Sequence, residues 1–404
     1  MTEQGLIKLH VYELQIGMFV SQLEIPWEQS PFLLQGFDLK TQADIKAVQD
    51  VCDYVYINPA RQKQIHGDAL TRNSKADNRL NFTQAFANAQ QTYQQTSNLV
   101  KDLMDDVRFG NTLNTEAAKA AVADCVDRII ENSDAMALLT QLKSKDEYTQ
   151  QHSLNVCLLA IMLGRHQKKS IQDLNNLGIC ALLHDMGKMK VPLEVLNKPG
   201  KLTEDEMRLM EAHTTWGRDI IMSARGIFPG AVDVAYGHHE KLDGSGYPRG
   251  IKAQGISEYT RIVAIVDAYD AITSDRVYQK GRLHLEAINI LTRSRETHFD
   301  AMTVIQFIDC IGIYPVGNLV EMSNGEVAVV IEKNVNNKTR PKVLLLLNAE
   351  KQPQSHQIID LSTEQKDASG EIYKIHKVLH SDAYGIDLKK FHEQGQFNRA
   401  FGIQ

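Results

Sequence analysis

A histidine and an aspartate stand side by side, as His184 and Asp185, in the stretch ALLHDMGKMKVP of residues 181–192. An apolar run leads directly into this pair, and burying a charged group is unfavourable unless the group is paired or binds an ion. A metal ion would satisfy both side chains at once, but two adjacent ligands cannot complete a coordination shell. We therefore expect other segments of the chain to fold around this pair and supply further ligands.

The composition is that of a globular protein with two or three domains. The chain has 404 residues, of which 43% are hydrophobic and 7% aromatic, as is usual for soluble proteins. Its net charge of −6 provides no basic field. Polymeric DNA or RNA is therefore not expected as a partner.

The cysteines and the N-terminus predict a cytoplasmic protein. The cysteines form no CxxC pair, which fits reduced thiols: Cys52, Cys125, Cys157, Cys180 and Cys310. The opening MTEQGLIKLH lacks the apolar core of a signal peptide. No apolar window of about 18 residues follows, so we predict no membrane span.

The segments that flank the predicted metal site differ from it in pattern. Residues 1–70 predict a small α+β regulatory domain, with strands over 7–11, 18–20 and 54–57 and a short helix that begins near Thr41. Residues 313–404 predict a β-rich C-terminal module, in which Asn324-Gly325 joins two strands as a hairpin.

Residues 71–143 predict a helical linker or hairpin. Apolar residues recur at alternating steps of four and three, which is the pattern of a coiled-coil seam: Phe82, Phe86, Ala89, Tyr93, Thr96, Val100, Leu103 and Val107. The seam could pack against the next helices of the same chain or against a second copy in a homodimer. The pattern alone leaves both alternatives open.

Residues 144–312 are almost entirely helical by pattern. We predict helices over 148–167, 171–186, 203–225, 231–239, 257–277 and 283–293. A Gly-rich phosphate loop and a strand–helix alternation are both absent from the sequence, which disfavours a nucleotide-binding α/β fold. The predicted fold class is mainly α, with a helical catalytic domain between a small α+β domain and a small β module.

The helical segment concentrates side chains that bind metals. Five histidines and two aspartates stand out against apolar backgrounds: His152, His184, Asp185, His213, His238, His239 and Asp267. A single histidine on an apolar face is more often a hydrogen-bonded core residue than a ligand. The seven together exceed one tetrahedral site and suit two ions that share a bridging carboxylate.

We predict Asp185 as that bridge, because its neighbour His184 can reach only one ion. Imidazole-rich shells favour transition metals, so iron or manganese is expected, with zinc or nickel as alternatives. Two such ions can deprotonate a bridging water near neutral pH. Lys188 lies four positions after His184, and a helix continuing through the motif would place it on the same face. There it would neutralise a phosphate oxygen; its alternative role is a solvated surface lysine.

At this point the motifs resemble a known family. The order HDMGK, KPGKLTEDE, HHEKLDGSGYPRG and VDAYDAITSDRVY is similar to the HD-GYP subgroup of the HD phosphohydrolases, bacterial phosphodiesterases that act on cyclic di-GMP. The resemblance covers residues 144–312, with several multi-residue motifs in the expected order and spacing. The opening segments IGMFV and WEQSPFLLQGF resemble the small domain of unknown function that often precedes HD-GYP domains.

The resemblance implies roles for individual residues. It implies that the seven histidines and aspartates are metal ligands, that Lys188 binds the scissile phosphate, and that Arg276 contacts a phosphate or base of the substrate. Gly246-Tyr247-Pro248 is the tripeptide that names the group, in a loop that borders the pocket and is linked in the family to GGDEF-type cyclases.

Three further positions refine this site. Asp270, one helical turn after Asp267, is predicted to orient a ligand from outside the coordination shell. Some members hold a third metal through a glutamate at the position of Tyr148; the adjacent Glu147 would point about 100° away on a helix. We therefore predict two ions. A family lysine is replaced here by Gln279, with Lys280 beside it.

The sequence therefore predicts a cytoplasmic, metal-dependent phosphodiesterase of bacterial second-messenger signalling. It would cleave cyclic di-GMP to pGpG and, by a second cut, to GMP. One alternative substrate is the mixed 3′3′-cyclic GMP–AMP. The alternative from another class is a non-catalytic scaffold that binds a cyclic dinucleotide or a cyclase, and the complete ligand set disfavours it.

Overall fold

The computed structural model describes residues 6–24, 36–49, 51–52, 54–58, 82–141, 148–275, 280–334 and 337–403. Contacts group the chain into two compact units. The first consists of Met1–Asn78 with Ile311–Asp387, and the second of Arg79–Cys310 with Leu388–Gln404. The boundaries predicted at residues 70, 143 and 312 stay predictions, because grouping by contacts does not show which parts fold independently.

The first unit begins with a small antiparallel sheet beside one helix. Its elements are β1 (Ile7–His10), β2 (Phe19–Leu23), β3 (Phe37–Asp38), α1 (Gln42–Gln49) and β4 (Tyr54–Ile57). The strand order is β1-β4-β2-β3. Thr41 and Asp44 cap α1 reciprocally, with Thr41 N–H donating to Asp44 Oδ2 at 2.8 Å and Asp44 N–H to Thr41 Oγ1 at 3.2 Å.

A five-stranded antiparallel sheet completes the first unit. Its strands are β5 (Leu319–Met322), β6 (Val327–Glu332), β7 (Lys342–Leu347), β8 (Ile358–Asp360) and β9 (Ile375–Val378). They lie in the order β8-β7-β6-β5-β9. The predicted hairpin joins β5 to β6, with Leu319 opposite Val329 and Gly325 at a positive φ of 86°. β9, which the sequence pattern did not predict, pairs with β5 from far along the chain.

The second unit opens with a long helix whose apolar seam is used inside the unit. Its first helices are α2 (Phe82–Arg108), α3 (Thr115–Glu131), α4 (Ser133–Leu139), α5 (Tyr148–His166) and α6 (Ile171–Leu183). Of the eight predicted seam positions, seven are buried and Tyr93 is half-buried. The helix packs against α3, α4 and α5. Because the seam is buried within the chain, it no longer supports a homodimer. The homodimer stays a prediction.

Two helix predictions in the middle of this unit were wrong in their bounds. The helix predicted over 171–186 ends at Leu183 and is followed by a 3-10 turn, Met186–Lys190. The helix predicted over 203–225 is divided at Ala212. The helices that follow the 3-10 turn are α7 (Leu193–Leu196), α8 (Glu204–Glu211), α9 (His213–Ser223) and α10 (Gly230–Gly237).

Helices also close the second unit. They are α11 (Glu258–Thr273), α12 (His284–Arg293), α13 (Ala301–Ile311), α14 (Leu388–Glu393) and α15 (Gln396–Phe401). The last two return to the start of α2, where the rings of Phe401 and Phe82 meet edge to face at 5.2 Å. The predicted mainly α fold with small sheets near both ends is confirmed. Among the described residues, no helix combines the length and apolarity needed to cross a bilayer.

Candidate metal centre

His184 and Asp185 lie at the end of α6, in the interior of the second unit. Ser170 begins this helix by accepting the Asp173 N–H at 3.1 Å. The apolar residues of α6 pack it against α5, α10 and α3. The helix stops at Leu183, so the pair lies just beyond its last turn, and both residues are fully buried.

Gly187 sets how closely the 3-10 turn approaches α9. A Cβ at this position would lie 1.8 Å from His213 O and 2.5 Å from Gly217 N. Only glycine permits two backbones to cross at this distance. The crossing therefore brings the Asp185 carboxylate beside the His213 ring.

One oxygen of Asp185 faces a first group of ligands. Asp185 Oδ2 lies 3.6 Å from His152 Nε2 and 3.3 Å from His184 Nε2. Asp267 Oδ1 lies 3.0 Å from His152 Nε2 and 3.9 Å from His184 Nε2. We call His152, His184 and Asp267 the Asp267 half of the centre.

The other oxygen of Asp185 faces a second group. Asp185 Oδ1 lies 3.4 Å from His213 Nε2 and 3.6 Å from His238 Nε2. Ligand atoms of His213, His238, His239 and Asp185 all lie within 4.8 Å of one another. We call His213, His238 and His239 the His239 half. The structure thus gathers all seven predicted ligands, with the Asp185 carboxylate facing both halves. The halves adjoin, because ligand atoms of His184, His238 and Asp267 also lie within 4.8 Å of one another.

Backbone carbonyls determine which ring nitrogen of three of these histidines faces the centre. The Nδ1 atoms of His184, His213 and His238 lie 2.7, 2.5 and 3.1 Å from the carbonyl oxygens of Ala181, Met210 and Val234. A carbonyl only accepts, so each Nδ1 carries the proton, and a neutral ring then presents the Nε2 lone pair to the centre. His213 Nε2 and His238 Nε2 are 3.4 Å apart. Two lone pairs beside a carboxylate are an unfavourable arrangement unless a cation lies between them.

Orphaned atoms show that the donor set fits metal ions. His184 Nε2 and Asp185 Oδ1 are buried and have no hydrogen-bond partner, which is unfavourable unless an ion satisfies them. Imidazole nitrogens and carboxylate oxygens are ligands of transition metals. The seven residues could therefore hold metal ions on both sides of Asp185.

Charge and burial hold Asp185, His213 and His239 in the protonation states that bind metal. Burial raises the pKa of the Asp185 carboxyl, but Lys188 and His184 outweigh burial and hold this pKa well below its usual range. Burial lowers the pKa of His213 to about 3 and that of His239 well below its usual value. Near neutral pH these rings are neutral and the Asp185 carboxylate is charged, which are the forms that bind metal.

His152 differs because a carboxylate holds its outer nitrogen. His152 Nδ1 lies 2.8 Å from Asp270 Oδ2. Burial lowers the pKa of His152, but Asp267 and Asp270 outweigh burial and raise this pKa to about 9. Asp270 in turn accepts from Asn155 Nδ2 at 3.3 Å and from Ser274 Oγ at 3.1 Å. Asp270 therefore lies where we predicted a residue that orients a ligand.

Lys188 lies beside the centre, but the backbone geometry that places it there differs from the predicted one. The prediction assumed a continuous helix and a shared face with His184. In the 3-10 turn, Lys188 instead lies one turn after Asp185, with Nζ 2.5 Å from Asp185 Oδ2. Its side chain is 21% exposed, so its ammonium group lies at the edge of the centre.

The loop of Gly246, Tyr247 and Pro248 borders the His239 half. The rings of Tyr247 and His239 stack with centroids 4.8 Å apart. Tyr247 N–H donates to His239 O at 3.2 Å. A Cβ on Gly246 would lie 2.4 Å from Lys241 N and 2.5 Å from His239 O, so this loop folds back tightly onto the ligand-bearing segment.

Some predicted positions lie outside the described residues. They are Glu147, Arg276 and Gln279, together with the side chain of Tyr148. The structure adds partners that the sequence interpretation missed, namely Asn155, Ser274 and Glu240. Asn155 stands one helical turn after His152 and Glu240 directly follows His239, so proximity to predicted ligands was the available signal.

Comparison with family models divides the chain into three matched regions. Residues 127–303 match the HD domain. Residues 6–118 match a domain of unknown function, and residues 319–367 match a KOW domain associated with the HD domain. The first of these regions lies in the helical part of the chain. The second contains the N-terminal sheet together with α2, and the third contains strands of the C-terminal sheet.

Relatives extend this likeness over most of the sequence. A protein of Pseudomonas aeruginosa named as a cyclic di-GMP phosphodiesterase is 33% identical over 367 residues, covering 88% of both chains. A 3′3′-cGAMP-specific phosphodiesterase of Vibrio cholerae is 36% identical over 159 residues, covering 39% of this chain and 37% of that one.

A solved HDGYP protein from Bdellovibrio bacteriovorus matches at 18% identity and a TM-score of 0.48, covering 75% of this chain and 98% of that one. This similarity is too low to add to the assignment. The assignment depends on the HD domain match and on the full-length relative from Pseudomonas aeruginosa. Together with the GYP tripeptide, they show that the chain belongs to the HD-GYP family of HD-domain proteins.

Proposed function

We propose that this protein is a metal-dependent phosphodiesterase that hydrolyses cyclic di-GMP to pGpG and, by a second cut, to GMP. The observation that carries the proposal is the division of six predicted ligands into two halves around the opposite oxygens of the seventh, Asp185. One relative matches most of the chain and another matches part of it, and both are named as phosphodiesterases of cyclic dinucleotides.

We assign one divalent transition-metal ion to each half, with Asp185 as the bridge. Iron or manganese fits the imidazole-rich donors best, with zinc or nickel as alternatives. Bound there, the two ions would supply an activated water and electrophilic stabilisation of the phosphate oxygens. The two halves support two ions, and Tyr148 in place of a glutamate supports two ions rather than three.

The chain's own residues would prepare the phosphodiester for attack. The three backbone carbonyls hold His184, His213 and His238 in the tautomer that binds through Nε2. Asp270 holds His152 in the same way through Nδ1. Lys188 Nζ, beside Asp185 Oδ2, is close enough to the centre to stabilise the charge that develops on a phosphate oxygen.

Other residues would bind the rest of the substrate. Tyr247, stacked on His239, would border the substrate together with Gly246 and Pro248. The family resemblance assigns Arg276 to a phosphate or base. The same loop is our candidate contact for a GGDEF-type cyclase.

Cyclic GMP–AMP is a second candidate substrate, because several relatives that match 30–39% of this chain are named as specific for it. The ligand geometry recognises a phosphodiester and does not distinguish guanine from adenine. A non-catalytic scaffold is disfavoured, because degenerate members usually lose ligands and all seven are gathered here.

Turnover of the two dinucleotides, measured after reconstitution with iron and with manganese, tests this proposal. We expect cyclic di-GMP to be cleaved by the loaded protein. Asp185→Ala removes the bridge and should reduce turnover by a factor of about 10³ or more. Asp205→Ala, which removes an exposed carboxylate from α8, is the matched control.

Loaded protein that leaves both dinucleotides intact would refute the proposal. Cleavage of cyclic GMP–AMP alone would move the assignment to the second substrate. An active Asp185→Ala variant with normal metal content would disprove the bridging role.

A further inference from the structure

Glu240 is a buried carboxylate that the proposed reaction does not use. It directly follows the ligand pair His238-His239, and its side chain is 0% exposed. Burying a carboxylate is costly unless hydrogen bonds and charges compensate it. The partners of Glu240 therefore indicate what this residue does.

Those partners lie at the far end of the GYP loop, which we define as residues 241–251. Glu240 Oε1 accepts the N–H of Arg249 at 2.8 Å, and Oε2 accepts the N–H of Ile251 at 3.1 Å. Arg249 Nε lies 3.6 Å from Oε1. Hydrogen bonds to a charged carboxylate are stronger than those between neutral groups. One side chain thus ties the far end of the loop to the ligand pair at its start.

The loop that Glu240 closes carries Tyr247 to the metal centre. Tyr247 N–H bonds to His239 O, and its ring stacks on the His239 ring at 4.8 Å. The ligand His238 has separate support, because its Nδ1 donates to Val234 O within its own helical turn. Loss of the Glu240 contacts would therefore free the loop and Tyr247 while His238 stays in place.

We propose that Glu240 is a positioning residue that clamps the GYP loop against His239 and fixes Tyr247 at the border of the substrate site. This inference rests on the proposed function for its effect on substrate, but the clamp itself is a property of the loop. Its expected signature is weaker substrate binding with unchanged metal content.

The test compares Glu240→Ala and Glu240→Gln with the wild-type protein, each loaded with manganese. The alanine variant should raise KM for cyclic di-GMP about tenfold, because it removes two charge-assisted hydrogen bonds. Its kcat and its bound manganese should change little. Glutamine keeps one acceptor oxygen, so Glu240→Gln should restore part of the effect. Glu258→Ala, which changes an exposed glutamate on α11, is the control.

Hydrogen–deuterium exchange of the loop gives a readout that needs no turnover. Amides of residues 241–251 should exchange faster in Glu240→Ala and at an intermediate rate in Glu240→Gln. Unchanged exchange would disprove the clamp. Faster exchange with an unchanged KM would disprove the positioning role. Wild-type protein that does not cleave cyclic di-GMP would refute the proposed function, and exchange would still decide the clamp.

Discussion

The two halves of the metal centre are held by different parts of the protein. In the Asp267 half, His152 is fixed by the carboxylate of Asp270, which itself accepts hydrogen bonds from Asn155 and Ser274. In the His239 half, His213 and His238 are fixed by backbone carbonyls. His184, in the Asp267 half, is also fixed by a backbone carbonyl, that of Ala181. The halves therefore differ at His152, which depends on a layer of side chains rather than on the path of the main chain.

This difference separates two ways of adjusting a metal site. A carboxylate behind an imidazole makes that ring a stronger ligand, and a side-chain substitution can weaken it without moving the backbone. A carbonyl behind an imidazole can be altered only if the main chain moves. We therefore expect the Asp267 half to respond to substitutions in its hydrogen-bonded side chains, and the His239 half to respond to changes in backbone packing.

Among the substitutions that test this comparison of the two halves, the largest effect is expected from Gly187→Ala. Its methyl group would lie 1.8 Å from His213 O, so the 3-10 turn and α9 would have to separate. Overpacking of this kind costs about 1–3 kcal/mol of unfolding free energy. Displacing catalytic groups by about 1 Å can reduce turnover roughly 100-fold. Denaturant unfolding and turnover of the manganese-loaded protein would measure both effects.

Gly217→Ala is the matched control for this crossing. A Cβ at Gly217 would lie 3.4 Å from Gly187 N and 3.5 Å from Ala235 Cβ, which are ordinary van der Waals distances. This variant should keep near-normal stability and turnover. Equal losses in the two variants would show that the close crossing does not set the His239 half.

Asp270→Asn should weaken the Asp267 half selectively. Asparagine can still accept a hydrogen bond from the His152 Nδ1–H group, but it lacks the negative charge of the carboxylate behind the ring. Loss of such a partner typically lowers metal affinity about 10–100-fold. Chelator titration should show one of the two ions leaving at a lower chelator concentration than in the wild-type protein.

Asp219→Asn, which changes a carboxylate 52% exposed on α9, is the control for Asp270→Asn. It should leave both ions bound as in the wild-type protein. If Asp270→Asn released both ions together, the two halves would not be independently supported, and the comparison between them would fail.

The seven predicted ligands could be picked out from the sequence because they stand in short motifs within a largely apolar helical segment. His184-Asp185 follows the apolar end of α6, and Asp267 interrupts the apolar helix α11. A polar side chain in an apolar segment indicates that this side chain has a binding partner, whatever the fold. The structure brings all seven together within the second unit.

The remaining features of the site depend on contacts that local patterns do not encode. Asp270 and His152 are 118 positions apart, so the contacts of Asp270 with His152 and Asn155 form only once α5 and α11 pack together. The end of α6 at Leu183 likewise reflects the tight passage of Gly187 beside α9. Helical periodicity therefore predicted Lys188 near the centre but gave it the wrong geometry.

Ser274→Ala gives the smallest expected effect, and it tests whether the side-chain layer acts as a network. The substitution removes the Ser274 Oγ donor, 3.1 Å from Asp270 Oδ2. A hydrogen bond of this kind contributes about 1 kcal/mol, so metal affinity in the Asp267 half should fall roughly fivefold. Chelator titration of Ser274→Ala, Asp270→Asn and the double variant forms a double-mutant cycle. If serine acts through the Asp270 carboxylate, its removal should matter little once Asp270 is asparagine. Additive losses would instead show that Ser274 supports the helix independently of the metal centre.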